Sequence, residues 1–149
     1  VGIALSIILI LLLVYFNDFF ILLKIAVPIV LSVVFALGVY SLYSDSISLI
    51  SLSIAAIVFG ISIDYAIHIF THLKHTGYSV ETAYKGIVSS ILMSATTTAG
   101  TFGVIAYLDS RVFSEMGAIA FLVVVFTSVL SLVLLPLLFF WNNSLKRKK

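Results

Sequence analysis

Apolar residues occupy this chain in long unbroken blocks, with short polar breaks between them. Five blocks stand out, covering about 2–16, 20–42, 47–71, 83–108 and 114–141. At roughly 1.5 Å per helical residue, the last four exceed the roughly 30 Å hydrocarbon core of a bilayer. The first is shorter and Val1 begins in mid-span, so the chain reads as part of a longer protein. Membrane strands would come as blocks of about 10 residues alternating apolar and polar, which these blocks do not do. The pattern predicts an all-α, polytopic transmembrane bundle of five spans. It forms a single membrane domain over 1–149 that ends in a basic tail at 142–149.

Composition sharpens the picture. The chain is 62% hydrophobic and 9% charged, whereas a soluble domain carries about 25% charged residues. It has no cysteine, so disulfides, thiolate nucleophiles and Cys-ligated metals are excluded. No basic stretch precedes the first block and no small-residue cleavage site follows it, so it reads as a span and not as a signal peptide. The Walker A, Gly-x-Ser-x-Gly, His-Glu-x-x-His and Gly-x-Gly-x-x-Gly patterns are all absent. No enzyme, cofactor or nucleotide site is therefore predicted.

Charge sets a direction. Five spans put the loops at 17–24 and 72–85 on the same side as the C-terminus. That side holds Lys24, Lys74, Lys85 and the tail Lys146-Arg147-Lys148-Lys149, leaving only Arg111 on the other. The positive-inside rule then places the C-terminus in the cytoplasm of a plasma (inner) membrane. The tail reads as an anchor against anionic lipid, and nucleic acid is not an expected partner. In the loop around Thr76–Glu81, Ser79 is a candidate N-cap and Glu81 suits the start of a helix.

The third block carries the candidate chemistry, Gly60-Ile-Ser-Ile-Asp64-Tyr65-Ala-Ile-His68. An ionised carboxylate in hydrocarbon costs several kcal/mol, so an intramembrane acid reads by default as part of an ion path. At about 100° per residue, Ser53, Ile57, Gly60 and His68 fall within about 40° of Asp64, and His75 joins them if the helix continues. A buried carboxylate has its pKa raised toward the working range, and histidine titrates near neutrality, so such a row suits proton handling. Tyr65 can exchange a hydrogen bond with the carboxylate. Gly60 admits a neighbouring helix or leaves a gap for water. The other reading makes Asp64 a structural acid bonded to the fourth span. His72 and His75 read as residues of the cytoplasmic boundary. Asp64 lies too far from His75 along the axis for one ion to gather the set, so no metal site is predicted.

The fourth block adds a hydroxyl stripe, with Ser90, Ser94, Thr97 and Thr101 at i, i+4, i+7 and i+11. It reads either as a close-packing surface of small residues or as a partner for Asp64 through Thr97 or Thr98. Pro28 and Pro136 mark kinks, and Tyr107 and Trp141 mark interfacial anchors.

Gly60-Ile-Ser-Ile-Asp64-Tyr65, on the middle span of five, resembles the Gly-x-x-x-Asp-Tyr motif of the RND superfamily, and most of all its MMPL-type exporters. Phe59, Ile67, His68 and Phe70 extend the likeness, as do the Ser/Thr/Gly-rich next span and the Leu-Leu-Pro-Leu-Leu ending. The resemblance implies all but the first span of one half of a two-half transporter, the basic tail pointing to the C-terminal half. It also implies a large extracytoplasmic domain and a partner half outside this chain, with protons as coupling ion and hydrophobic or lipid-like cargo. Asp64, Tyr65 and His68 would form the proton relay, supported by Gly60, Thr97 and Thr98, in contact with membrane lipids. A sterol- or lipid-sensing membrane module and a structural membrane subunit are the alternative readings.

Overall fold

The computed structural model describes residues 19–44, 47–75 and 80–146. They form four helices, α1 (Phe19–Ser41), α2 (Leu49–His75), α3 (Val80–Ala106) and α4 (Arg111–Lys146), and no strand occurs among them. These helices cover the second to fifth predicted spans. The first predicted span, Ser79 and Arg147–Lys149 lie outside the described residues, whereas Asn142–Lys146 of the predicted tail continue α4. Phe20–Ser41, Gly86–Ala106 and Arg111–Leu138 are each long and apolar enough to cross a membrane.

Short polar segments turn the chain between helices. α1 ends as Tyr43 and Ser44 donate their N–H groups to the Tyr40 carbonyl, at 3.0 and 3.2 Å. Ser48 then caps α2, its Oγ accepting from Ser51 N at 3.0 Å, as an N-cap serine does three residues ahead. α3 ends at Tyr107 and Leu108, whose N–H groups donate to Val104 and Ile105. The Ser114 hydroxyl donates to the freed Ala106 carbonyl at 2.7 Å, tying the start of α4 to the end of α3. The short connections from α1 to α2 and from α3 to α4 therefore share one end of the bundle, the short-loop end, and α2 and α4 both run away from it.

α4 is the central helix. It packs along α1, α2 and α3, while α2 touches α1 and α3 more lightly and α1 does not touch α3. Ile119, Ala120, Val123, Val124, Thr127 and Leu135 of α4 are fully buried among the other helices. Small residues set the closest approach. A Cβ on Gly117 would lie 2.7 Å from both the Ile105 carbonyl carbon and the Phe102 oxygen, so α4 crosses the backbone of α3 where only glycine fits. The outer surface is just as apolar. Phe20, Val34, Phe35, Ile57, Val104, Val133 and Leu137 are exposed. Such a surface suits lipid, and in water it would be an aggregation surface.

Candidate functional site

α2 has two distinct faces. Val58, Ser62, Ala66, Ile69, Phe70 and Leu73 are buried, and because α2 packs chiefly on α4, they form its seam with that helix. The predicted polar row lies on the opposite face. Ser53, Ile57, Asp64, His68 and His75 are all exposed, so the shared face expected from the helical period is real. Its setting differs from the expectation of a buried carboxylate, because the described helices leave Asp64 uncovered. Gly60, half-buried, lies one turn away, and a Cβ there would meet nothing within 4 Å.

Tyr65 is buried beneath this surface. Its hydroxyl donates to Thr98 Oγ1 on α3 at 3.4 Å, a long bond near the limit of useful geometry. Thr98 donates in turn to the Ser94 carbonyl at 2.9 Å. The structure thus pairs the fourth span with Tyr65, where the sequence pointed to Asp64. Thr97 donates to its own helix, at the Ser94 carbonyl at 2.8 Å. Asp64 has no hydrogen-bond partner among the described residues.

A second contact fixes the antiparallel register of α2 and α3. A Cβ on Gly86 would lie 2.9 Å from His72 Nε2. His72 is therefore a packing residue between helices and not merely a boundary residue. In the register these anchors set, Asp64 stands near the level of Thr97–Gly100 and His68 near Ser94. The hydroxyl stripe is exposed at Ser90, Ser94, Thr97 and Thr101. Among the described helices it does not serve close packing, because α3 meets α4 through Gly103 and Gly117 and meets α2 through Gly86. Asp64, His68 and the stripe together make an exposed polar band across α2 and α3.

Two further features were not singled out by sequence reasoning. Glu115 is buried at the short-loop end, where it accepts from Ser51 Oγ at 3.0 Å, Ser48 N at 3.3 Å and Arg111 Nε at 3.0 Å. The acid on α4 thus binds the N-terminus of α2, where a negative charge is favoured. The Ser-x-x-Ser start of α2 and the i, i+4 pair Arg111 and Glu115 were the available signals. The other feature is a set of fully buried hydroxyls, Ser62 on α2 with Thr127 and Ser131 on α4, which have no partner among the described residues. By contrast, the hydroxyls of Ser32, Thr96, Thr101 and Ser128 each donate to a carbonyl of the preceding turn.

Among the described residues no group of histidines and acids is placed to hold a metal ion. Compared with known proteins, residues 1–142 match the family model described as the MMPL family. No curated protein and no solved structure matches the chain.

Proposed function

The chain belongs to the MMPL family, and from that premise we propose that it is the membrane segment of a proton-driven exporter of lipid-like or hydrophobic cargo. Membership makes it a membrane transporter module. The coupling ion, the cargo and the role of Asp64 are the further step.

The exposure of Asp64 on a membrane helix carries this reading. Left against lipid, an ionised carboxylate costs several kcal/mol. The polar band therefore needs a polar cover, and the remaining half of the parent transporter, with its own acid, is that cover. Enclosed between two halves, Asp64 takes up a proton from the extracytoplasmic side and becomes neutral. Its attraction for cationic or donor groups across the interface falls, and the halves rock against each other. The proton then leaves toward the cytoplasm past His68, one turn further along α2. Tyr65 holds the α2 turn to Thr98 of α3, so a change at Asp64 reaches α3 directly. Gly60 and Gly100 have open space in this chain, and they keep the band thin where the other half approaches. The basic residues orient the C-terminus toward the cytoplasm of the inner membrane. The extracytoplasmic domains of the parent protein carry the cargo.

The test is export by the intact parent carrying Asp64→Asn, with and without a proton gradient, after insertion is verified. Asparagine keeps the shape and removes the titration. Loss of gradient-driven export with normal insertion is expected. Export that continues and still follows the gradient would place coupling elsewhere.

A further inference from the structure

On the side of the bundle away from Asp64, α1 and α3 diverge over α4 and leave a slot. Its upper part is a cavity of about 390 Å³ at the short-loop end. Gly103, Ala106 and Ala118 give it a shallow floor, Phe121 and Leu122 form apolar walls, and the rings of Tyr40, Tyr43 and Tyr107 rim it. No residue of α2 lines it. We propose that this slot is a binding site for one acyl chain of a membrane phospholipid, resident in the leaflet at the short-loop end.

Three observations select that occupant. The first is orientation. Ser62 and Ala66 turn one face of α2 onto α4, and Asp64 lies on the other face. A partner half that covers Asp64 therefore approaches from the side opposite the slot, a step that rests on the docking proposed above. The second is continuity. Below the cavity, α4 continues the same stripe through Leu122, Val129 and Val133, the last two exposed between flanking helices. From Ala118 to Val129 the helix rises about 16 Å, close to the roughly 15 Å depth of one leaflet. The slot thus has the length and direction of an alkyl chain lying along the membrane normal. The third is the rim. Tyr43 and Tyr107 are 85% and 91% exposed, at the level where tyrosine rings meet the headgroup region. Their phenols supply nearly all the polarity of the site, so it offers an apolar slot with hydroxyls at its mouth and no charge for a headgroup. That chemistry reads the chain and not the headgroup.

The experiment uses the full parent transporter in nanodiscs containing a phosphatidylcholine with a diazirine on one acyl chain. After irradiation, labelled peptides are mapped and quantified. Labelling concentrated on the segments with Tyr40–Tyr43 and Tyr107–Leu122 is expected. Ala118→Leu and, separately, Gly103→Leu, which fill the floor, are each expected to lower it at least five-fold, while Asp64→Asn leaves it unchanged. Uniform labelling of all lipid-facing helices, or labelling indifferent to both fillers in proteins that elute as wild type, would overturn the proposal. Loss of labelling in Asp64→Asn would also overturn it, since the slot would then be a cargo station driven by the transport cycle. Export that persists and follows the gradient in Asp64→Asn with labelling intact would overturn the coupling reading alone and leave the slot standing.

Discussion

Gly117 offers a strong test of how this bundle is held together. Alanine there places a methyl group 2.7 Å from the carbonyl carbon of Ile105 and from the oxygen of Phe102, and closer still to Ala106 N. All three atoms are backbone, and they belong to the last turn of α3, which Ser114 also ties to α4. No rotamer change relieves the contact, so the helices themselves must separate by most of an ångström. Overpacking of this kind costs about 1–3 kcal/mol, and backbone targets put it at the upper end, about 3 kcal/mol. Alanine regains about 1 kcal/mol of helix propensity, leaving a net loss of about 2 kcal/mol. For a protein of this size that is a fall in Tm of about 4–8 °C. Two glycines serve as internal comparisons. A Cβ on Gly38 meets nothing within 4 Å, whereas one on Gly86 meets the His72 ring at 2.9 Å. Gly38→Ala is expected to leave Tm unchanged or raise it. Gly86→Ala is expected to fall between, because an imidazole swings aside more cheaply than a backbone. The assay is the monodisperse fraction recovered by size-exclusion chromatography after heating detergent-solubilised protein. A Gly117→Ala protein as stable as Gly38→Ala would refute the close crossing of α3 and α4.

Glu115→Ala removes the acceptor that the Ser48 amide, the Ser51 hydroxyl and Arg111 share and should lower Tm, with Glu115→Gln intermediate because one carbonyl oxygen still accepts. Equal stability of wild type and both variants in the same heating assay would remove the clamp. Thr127→Val and Ser62→Ala delete buried hydroxyls that have no partner among the described residues, so each is expected to be neutral or to stabilise by up to about 1 kcal/mol. A lower Tm in either would instead reveal a buried water bound there. Tyr65→Phe removes a 3.4 Å hydrogen bond and should cost less than about 1 kcal/mol of stability. It is expected to slow gradient-driven export severalfold, and unchanged export would take the hydroxyl out of the coupling.

The residues of the candidate site were legible because they obey a one-dimensional rule. Ser53, Gly60, Asp64 and His68 fall on one face of any α-helix with this sequence, and the structure places them there. Their environment was not legible. The same period fits a buried row and an exposed one, and the choice rests on where α4 lies. Tyr65 shows the limit clearly. Its direction, about 100° from Asp64, follows from helix geometry, yet its partner on α3 depends on the register that His72 and Gly86 help to set. Glu115 looked like an ordinary loop-end charge, because its three donors come from segments far apart in sequence and from its own first turn.

The sequence by itself determined that the described residues fold into long apolar helices, the placement of an acid within one of them, and the side of that helix the acid shares with histidine and glycine. The tertiary structure decided which helix is central, which faces are covered and where backbones touch. The physical reason lies in the solvent. In water, apolarity marks the inside of a fold. In a bilayer, lipid tails are as apolar as leucine, so hydropathy does not separate a packed face from a lipid-facing one. α4 buries Val123 and Val124 and exposes Val129 and Val133, and only the shapes of its neighbours tell these valines apart.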